Sequence, residues 1–424
     1  MKIFKFGGAS VRHADGIRNL AAMLQQHQNE SILTVVSAMG KTTNQLEAFT
    51  EAVFQRNPDA AANILEQIKS YHFDIIEALF PDPLHAVYSD ISNYFLELEC
   101  LMETVSDDQD YDHLYDQIVS FGELISTKIV SHYLQLSGFR NHWIDARNFI
   151  VTDATYREAK VLWDETRHLM HSRLKPLALK NPIITQGFIA RDMTNQTTTL
   201  GREGSDYSAA LFAWGLEASS VSIWKDVAGV MNADPKKFPF AQKLDSISYS
   251  EAIELAYYGA SVMHPKTIQP LQSAKIPLFV KSFLNPSEAG TKISYEATPL
   301  QVPCYILKES QCLIHVKSPD FNFIAEEHLS SIFSLMAEHR IRANMMQQTA
   351  ISFSVCTDDA GRRFEQFIAA LQEKKFQVSA QKGLQLLTIY NAKDGAMTSN
   401  ILEGKSILLE QMMGGTSQYV VQES

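Results

Sequence analysis

No apolar run in the sequence approaches the roughly 18 to 20 residues a helix needs to cross a bilayer, so no membrane partner is expected. Cysteine is scarce: Cys100, Cys304, Cys312 and Cys356 lie far apart and never form a CxxC pair. That argues against a zinc site and a disulfide framework, and favours buried free thiols in a cytoplasmic protein. The 13 histidines show no HExxH or similar spacing, which leaves no metal motif. Basic residues are outnumbered, 37 Lys plus Arg against 48 Asp plus Glu, for a net charge of -11. Binding to a phosphate backbone wants a basic stripe, so a nucleic-acid partner is excluded.

Two nucleotide motifs are missing as well. Gly40, Lys41 and Thr42 follow an apolar strand, but a Walker A loop needs glycine five residues before Gly40, where the chain has Val35. The GxGxxG fingerprint fails because no glycine occupies the positions after Gly7 and Gly8. The opening MKIFKFGGAS runs straight into a strand, without the apolar core of a secretory signal.

What is present is globular: 424 residues, 45% apolar and 20% charged, enough for two to four domains at roughly 100 to 200 residues each. Ile3 to Phe6, Ile32 to Val36, Trp143 to Asp145, Ile183 to Ile189, Val221 to Val227 and Pro277 to Val280 read as strands. Between the first two, Ile17, Leu20, Ala21 and Leu24 mark one face of a helix. This alternation predicts an α/β fold with a mostly parallel sheet covered by helices. Thr42 to Leu136 reads as a long helical excursion, broken at Pro58, at Pro81 and Pro83, and around Ser106 to Asp110. The Pro, Gly, Ser and Thr of LNPSEAGTKISYEATPLQVP set a boundary near residue 300.

After that boundary the order is strand (Cys312 to Val316), helix (Leu329, Ile332, Phe333, Met336) and two strands (Ala343 to Gln347, Ile351 to Cys356). A helix (Phe364, Phe367, Ile368, Leu371) and a strand (Phe376 to Ala380) complete a ferredoxin-like βαββαβ unit. A second unit reads as strand Leu384 to Tyr390, helix Met397 to Gln411 and strand Tyr419 to Val421, short of one helix and one strand.

Three clusters carry candidate chemistry. Lys5 precedes Gly7, Gly8 and Ser10; side-chain-free residues let backbone N–H groups approach phosphate, beside a lysine point charge. A tight turn with a solvated lysine is the plain alternative. In TTTLGREGSDYSAALFAWG, Gly201 and Gly204 flank Arg202, Ser205 is a good N-cap, and Asp206 falls in the first turn. Arg202 can fork a carboxylate and the helix start favours anions, although a merely capped helix fits too. Lys225, Asp226, Gly229, Asp234, Pro235 and Lys236 form a charged loop at the carboxyl edge of a parallel sheet, where α/β folds bind ligands. A solvated hairpin is its alternative. Ser37 with Thr43 and Asn44, Glu123 in SFGELIST, and Gln186, Gly187 and Phe188 complete the set. For Glu123 the default is surface exposure.

KFGGAS, VVSAMGKTTN, SFGELIS, ITQGF, TTTLGREGSD, WKDVAGV with a following DP, and YGASVMHPKT, in this order, resemble the aspartate kinase branch of the amino-acid kinase family. The C-terminal units resemble its paired ACT regulatory modules. The resemblance implies a three-layer αβα sandwich over residues 1–295, then a regulatory region over 303–424 holding one full ACT module (about 310–382) and a truncated second. It implies transfer of the γ-phosphoryl of ATP, with Mg²⁺ carried by the nucleotide, to the β-carboxylate of L-aspartate. Such chemistry is charge neutralisation and positioning.

By that resemblance Lys5 neutralises the migrating phosphoryl group and Asp206 organises the lysines around it. Arg202 binds the substrate α-carboxylate, Glu123 its ammonium, and Ser37, Thr43, Glu203, Gly204 and Ser205 complete the pocket. Gly7, Gly8, Ser10, Lys225, Asp226, Met231, Lys236, Ser261 and Val262 fall where the family binds nucleotide. Lys225, Met231, Lys236 and Ser261 depart from many relatives, with threonine, tyrosine, arginine and lysine respectively, and Lys225 is the candidate to replace the charge absent at Ser261. A homodimer through the ACT modules follows from the same likeness. Asn344 and Ala350 stand where lysine-responsive relatives carry acidic residues, and Glu327 where they carry glycine, so inhibition by lysine is expected to be weak or absent. The competing readings are a non-catalytic amino-acid sensor and a kinase for another amino acid such as glutamate.

Overall fold

The computed structural model describes residues 1–106, 108–260, 263–318, 324–392 and 401–423. The chain forms two units, one of Met1–Val230, Lys243–Ile253 and Val262–Thr298, the other of Met231–Gln242, Glu254–Ser261 and Pro299–Ser424. No helix among the described residues is long and apolar enough to cross a membrane.

The first unit is built on β1 (Lys2–Phe6), β2 (Ile32–Val36), β3 (His142–Trp143), β4 (Ile183–Gln186), β5 (Ile189–Arg191), β6 (Thr197–Thr199), β7 (Ser220–Lys225), β8 (Ser246–Ser248), β9 (Leu278–Ser282) and β10 (Thr291–Ser294). Eight of them form one sheet in the order β3-β4-β2-β1-β7-β9-β10-β8, while β5 and β6 make a separate hairpin. Every pairing in the large sheet is parallel except β9 with β10. Parallel strands are buried on both faces, which is why β1 and β2 read as nearly unbroken apolar runs.

The helices are α1 (Ala14–Gln25), α2 (Thr42–Phe54), α3 (Pro58–Leu79), α4 (Ala86–Thr104), α5 (Tyr111–Val119), α6 (Phe121–Leu136), α7 (Trp163–Leu169), α8 (Lys175–Ala178), α9 (Gly204–Leu216), α10 (Tyr249–Tyr258) and α11 (Pro265–Ser273). In α1 the expected stripe of Ile17, Leu20, Ala21 and Leu24 is buried, and the His13 ring caps the Gly16 N–H. The excursion breaks where its sequence predicts: α3 starts with Pro58 behind the Asn57 cap, and Asp110 caps α5.

Three strand readings need correction. The run Ile183 to Ile189 is two strands, because Phe188 adopts φ 68 and turns the chain after β4. Asp145 is not in a strand; its carboxylate accepts from the Arg147 N–H and starts a short 3-10 turn. Val227 lies beyond β7, which stops at Lys225.

The second unit is a six-stranded antiparallel sheet in the order β12-β13-β11-β14-β16-β15. Its elements are β11 (Cys304–Lys317), α12 (Glu326–Glu338), β12 (Ala343–Gln348), β13 (Ser352–Asp358), α13 (Arg362–Glu373), β14 (Gln377–Tyr390), β15 (Lys405–Met413) and β16 (Thr416–Glu423). The first six follow the expected βαββαβ order, over a core that includes Ile314, Ile332, Val355, Phe364 and Phe367.

The second half differs from expectation. Phe376–Ala380 and Leu384–Tyr390 belong to one strand apart from Phe376, and irregular register at Lys308, Gln311 and Leu313 divides β11 as well. Cys304–Lys308 pairs with Leu386–Tyr390, so the strand missing from the second module is supplied by residues upstream of the first. The helix read over Met397–Gln411 is wrong from Lys405 onward, where β15 runs; its residues 397–400 lie outside the described residues. Gly414 and Gly415, at φ 58 and 83, form the two-residue turn joining β15 to β16. That pair fixes a hairpin and overrides the helix propensity of Leu, Glu, Gln and Met.

Candidate active site

Strands β1, β2, β4 and β7 point the same way, and β2 and β7 flank β1 on opposite sides. Their carboxyl ends therefore open a crevice at a point where strand order reverses, the usual ligand position in such sheets. Lys5 lies in this crevice near the end of β1. Its Nζ is 2.6 Å from Oδ1 of Asp206, while Nζ of Lys225, the last residue of β7, is 3.6 Å from Oδ2.

Asp206 sits in the first turn of α9 and is only 3% exposed. Burial pushes its pKa up, but the two ammonium groups more than offset this and hold it below its ordinary value. Two cations around one carboxylate leave a net positive charge aimed at the crevice. The backbone follows suit: a Cβ on Gly7 would lie 3.6 Å from the Lys5 ammonium, and one on Gly8 would meet the Ala38 carbonyl at 2.5 Å. Glycine is required at Gly8 so that the loop after β1 can cross the loop after β2. Ser10, buried, donates its N–H to the Gly7 carbonyl.

Glu123 is not a surface glutamate. It lies in the first turn of α6 at 3% exposure; Oε1 accepts from the Ala38 N–H at 3.2 Å, and Oε2 has no partner among the described residues. Burial pushes its pKa up to about 8, against smaller lowering effects from the Ala38 N–H and the Lys5 charge. Ser126, one turn on, donates to the Ser37 carbonyl at 2.7 Å. The Thr127 hydroxyl donates to the Glu123 carbonyl and accepts from Gln186 Nε2 and Trp143 Nε1. The sequence reading passed over Ser126 and Thr127, although their places three and four residues after Glu123 put them on its side of the helix.

The GREGSD loop is fixed from two directions. A Cβ on Gly187 would lie 2.5 Å from that of Ser205, and one on Gly204 would lie 2.7 Å from the Phe188 ring. Buried Asp116 of α5 accepts from Thr199 N and Oγ1 at 2.8 and 2.7 Å and from Arg157 N at 3.0 Å. Ser205 is not the N-cap: that place belongs to Glu203 in the left-handed region at φ 55, and no side chain caps the turn. The Gly204 and Asp206 N–H groups donate to the Gly201 and Glu203 carbonyls, which leaves the Ser205 N–H as the first-turn donor open to an anionic ligand.

Arg202 is exposed and makes no ion pair among the described residues. Ser37 and Thr43 are half-buried, at the ends of β2 and the start of α2, and Asp226 is exposed just after β7. Thus Lys5, Gly7, Asp206 and Lys225 come together, with Glu123 and Ser37 joined to them through the Ala38 loop. Met231 and Lys236 belong to the second unit, where Lys236 is exposed and its N–H donates to Asp234 Oδ1 at 2.9 Å. Ser261 and Val262 lie outside the described residues. No group of three His, Cys, Asp or Glu able to hold a metal occurs among the described residues.

Residues 1–282 match the model of the amino acid kinase family. Lysine-sensitive aspartokinase 3 of Escherichia coli is 32% identical over 362 residues, covering 85% of this chain and 78% of its own. Aspartokinase 1, chloroplastic, of Arabidopsis thaliana is 32% identical over 378 residues, and the match covers 84% of this chain and 63% of the plant protein. Two crystal structures of E. coli aspartokinase III superpose over 100% of this chain and 96% of theirs at 28% identity. They are the T-state complex with lysine and aspartate, at a TM-score of 0.82, and the R-state complex with aspartate and ADP, at 0.84. With these likenesses spanning both units and the charged crevice matching its sequence blocks, the chain belongs to the amino acid kinase family, within its aspartokinase branch.

Proposed function

We propose that the protein phosphorylates the β-carboxylate of L-aspartate with ATP, giving β-aspartyl phosphate and ADP, the first step toward lysine, threonine and methionine. The observation that carries this reading is the buried Lys5–Asp206 pair, joined by half-buried Lys225, beside a buried Glu123 with one unpartnered oxygen. A carboxylate oxygen of the substrate attacks the γ-phosphorus in line, the bond to the β,γ-bridging oxygen breaks, and ADP departs with its Mg²⁺. Lys5 and Lys225 neutralise the two anions that must meet, and Asp206 holds both ammonium groups. Glu123 receives the substrate ammonium and Arg202 forks the α-carboxylate, which selects a free α-amino acid. Ser37, Thr43, Glu203, Gly204 and Ser205 complete that pocket; Gly7, Gly8, Ser10 and Asp226 serve the nucleotide.

Measuring ADP release with L-aspartate, L-glutamate and N-acetyl-L-glutamate tests this. L-aspartate is expected to be preferred by at least about tenfold in kcat/KM; preference for either glutamate compound refutes it.

Residues 1–295 are then the catalytic domain and 303–424 an ACT-type regulatory region whose edge strands pair the chain into a homodimer. The chain's own groups saturate Asn344 in that region: its carbonyl accepts from the Lys308 ammonium at 2.9 Å, and its amide donates to Gln311 Oε1 and Asp358 Oδ1. Ala350 and Glu327 are exposed, and neither supplies a buried carboxylate. Lysine brings two ammonium groups and finds a cation already in place. Titrating lysine and threonine separately against the kinase assay should show no half-inhibition by lysine below about a millimolar. Stronger inhibition by lysine would mean the two absent carboxylates are dispensable.

A further inference from the structure

Strand β7 departs from the rule that parallel strands are apolar on both faces. Its sequence SVSIWK alternates, with Val221 and Ile223 fully buried on one face and Ser220 and Ser222 on the other. Register sets three rows across that second face. Lys2 pairs with Ser220; Phe4, Ser222 and Phe279 lie side by side; Phe6, Trp224 and Lys281 follow. A small Ser222 between two aromatic rings leaves a depression, which the end of α1 and the loop before β10 wall into a cavity of about 680 Å³. That is the size of a small-ligand site.

Its electrostatics are one-sided. None of the lining residues is acidic, whereas Lys2 and Lys281 both reach the cavity, on a chain whose net charge is -11. Lys2 is paired with Glu30. Lys281 meets no carboxylate among the described residues and stands 5.1 Å from the centroid of the Trp224 ring. Burial and the nearby Lys2 charge hold its pKa below the usual lysine value, as for an ammonium lacking a counter-ion. Trp224 is 3% exposed and its indole N–H has no acceptor among the described residues.

We propose that this cavity binds a small organic anion with a planar aromatic body, the ring over Ser222 between Phe4 and Phe279 and the anionic group at Lys281. The site is separate from the phosphoryl-transfer crevice, because Lys5 alternates to the opposite face of β1 from Phe4.

Calorimetric titration of the full chain with indole-3-acetate and with uncharged indole-3-acetamide tests it. The acetate should bind one to one with a Kd below about a millimolar, and the amide at least about tenfold more weakly. Lys281→Met should reduce acetate binding to the level of the amide and leave kinase turnover unchanged, and Ser222→Phe should remove both by filling the floor. Acetate binding that is absent, or that survives Lys281→Met unchanged, overturns the proposal. So does a shift in sedimentation on either substitution without probe binding, which would make the face a contact between copies of the chain.

Discussion

Lys5→Ala should lower kcat by about 10²- to 10³-fold while changing the KM for aspartate only a few-fold, the pattern for loss of a group acting on charge that develops in the transition state. The reasoning starts from burial. Lys5 is 8% exposed and its ammonium is 2.6 Å from Asp206, so no water shell or alternative side chain can take its place without reorganisation. Lys225 is the nearest cation, but its 3.6 Å contact is to the other carboxylate oxygen and its side chain is more exposed.

Asp206→Asn separates two roles in this group. The amide keeps the shape and a hydrogen bond to Lys5 but removes the charge that balances two ammonium groups, so the two like charges repel each other without that counter-ion between them. Activity should then fall by about tenfold or more, because the two ammonium groups are no longer held together at the crevice. The ion pairs also contribute stability, with a definite sign. The folded pKa of Asp206 is lowered, so this contribution is present above the unfolded value and is lost as pH falls through the folded one. A hydroxamate assay for the acyl phosphate measures both variants. Turnover in Lys5→Ala within tenfold of the wild type would remove Lys5 from the chemistry, and loss of product in that variant would exclude a sensor without activity.

The sequence revealed the parallel sheet because apolar β-branched runs have few other uses, and it placed Lys5 and Asp206 together through their motifs. It could not show that Lys225 turns toward Asp206 rather than toward solvent, since that depends on which face of β7 meets α9. Glu123 read as exposed by default; only the packing of α6 against the loop after β2 encloses it. In the second unit, the borrowed strand Cys304–Lys308 was illegible because its partner lies some eighty residues downstream, in the second half of β14. The Gly414–Gly415 pair is a hairpin signal in the sequence, but the helix-forming residues before it favour a helix when read alone.

Glu123 gives the second large effect, through pH. Its pKa of about 8 means that in the free protein at pH 7 the carboxyl is roughly nine-tenths protonated. Receiving a substrate ammonium requires the carboxylate, so binding expels that proton. The KM for aspartate should therefore fall by about tenfold per pH unit from pH 6 toward pH 8 and level off above it. Glu123→Gln should raise KM by about 30-fold or more, the cost of removing one partner of a buried charge pair, and should abolish the slope. Stability follows the opposite sense, because a raised folded pKa favours the fold below the ordinary value of 4.5 and loses that advantage as pH rises through about 8. Without aspartate, Glu123→Gln should thus gain in Tm relative to the wild type between pH 6 and pH 9, and saturating aspartate should restore the wild type alone. A KM that is flat across this range in the wild type would show that Glu123 is already ionised and that its unpartnered oxygen does not receive the substrate.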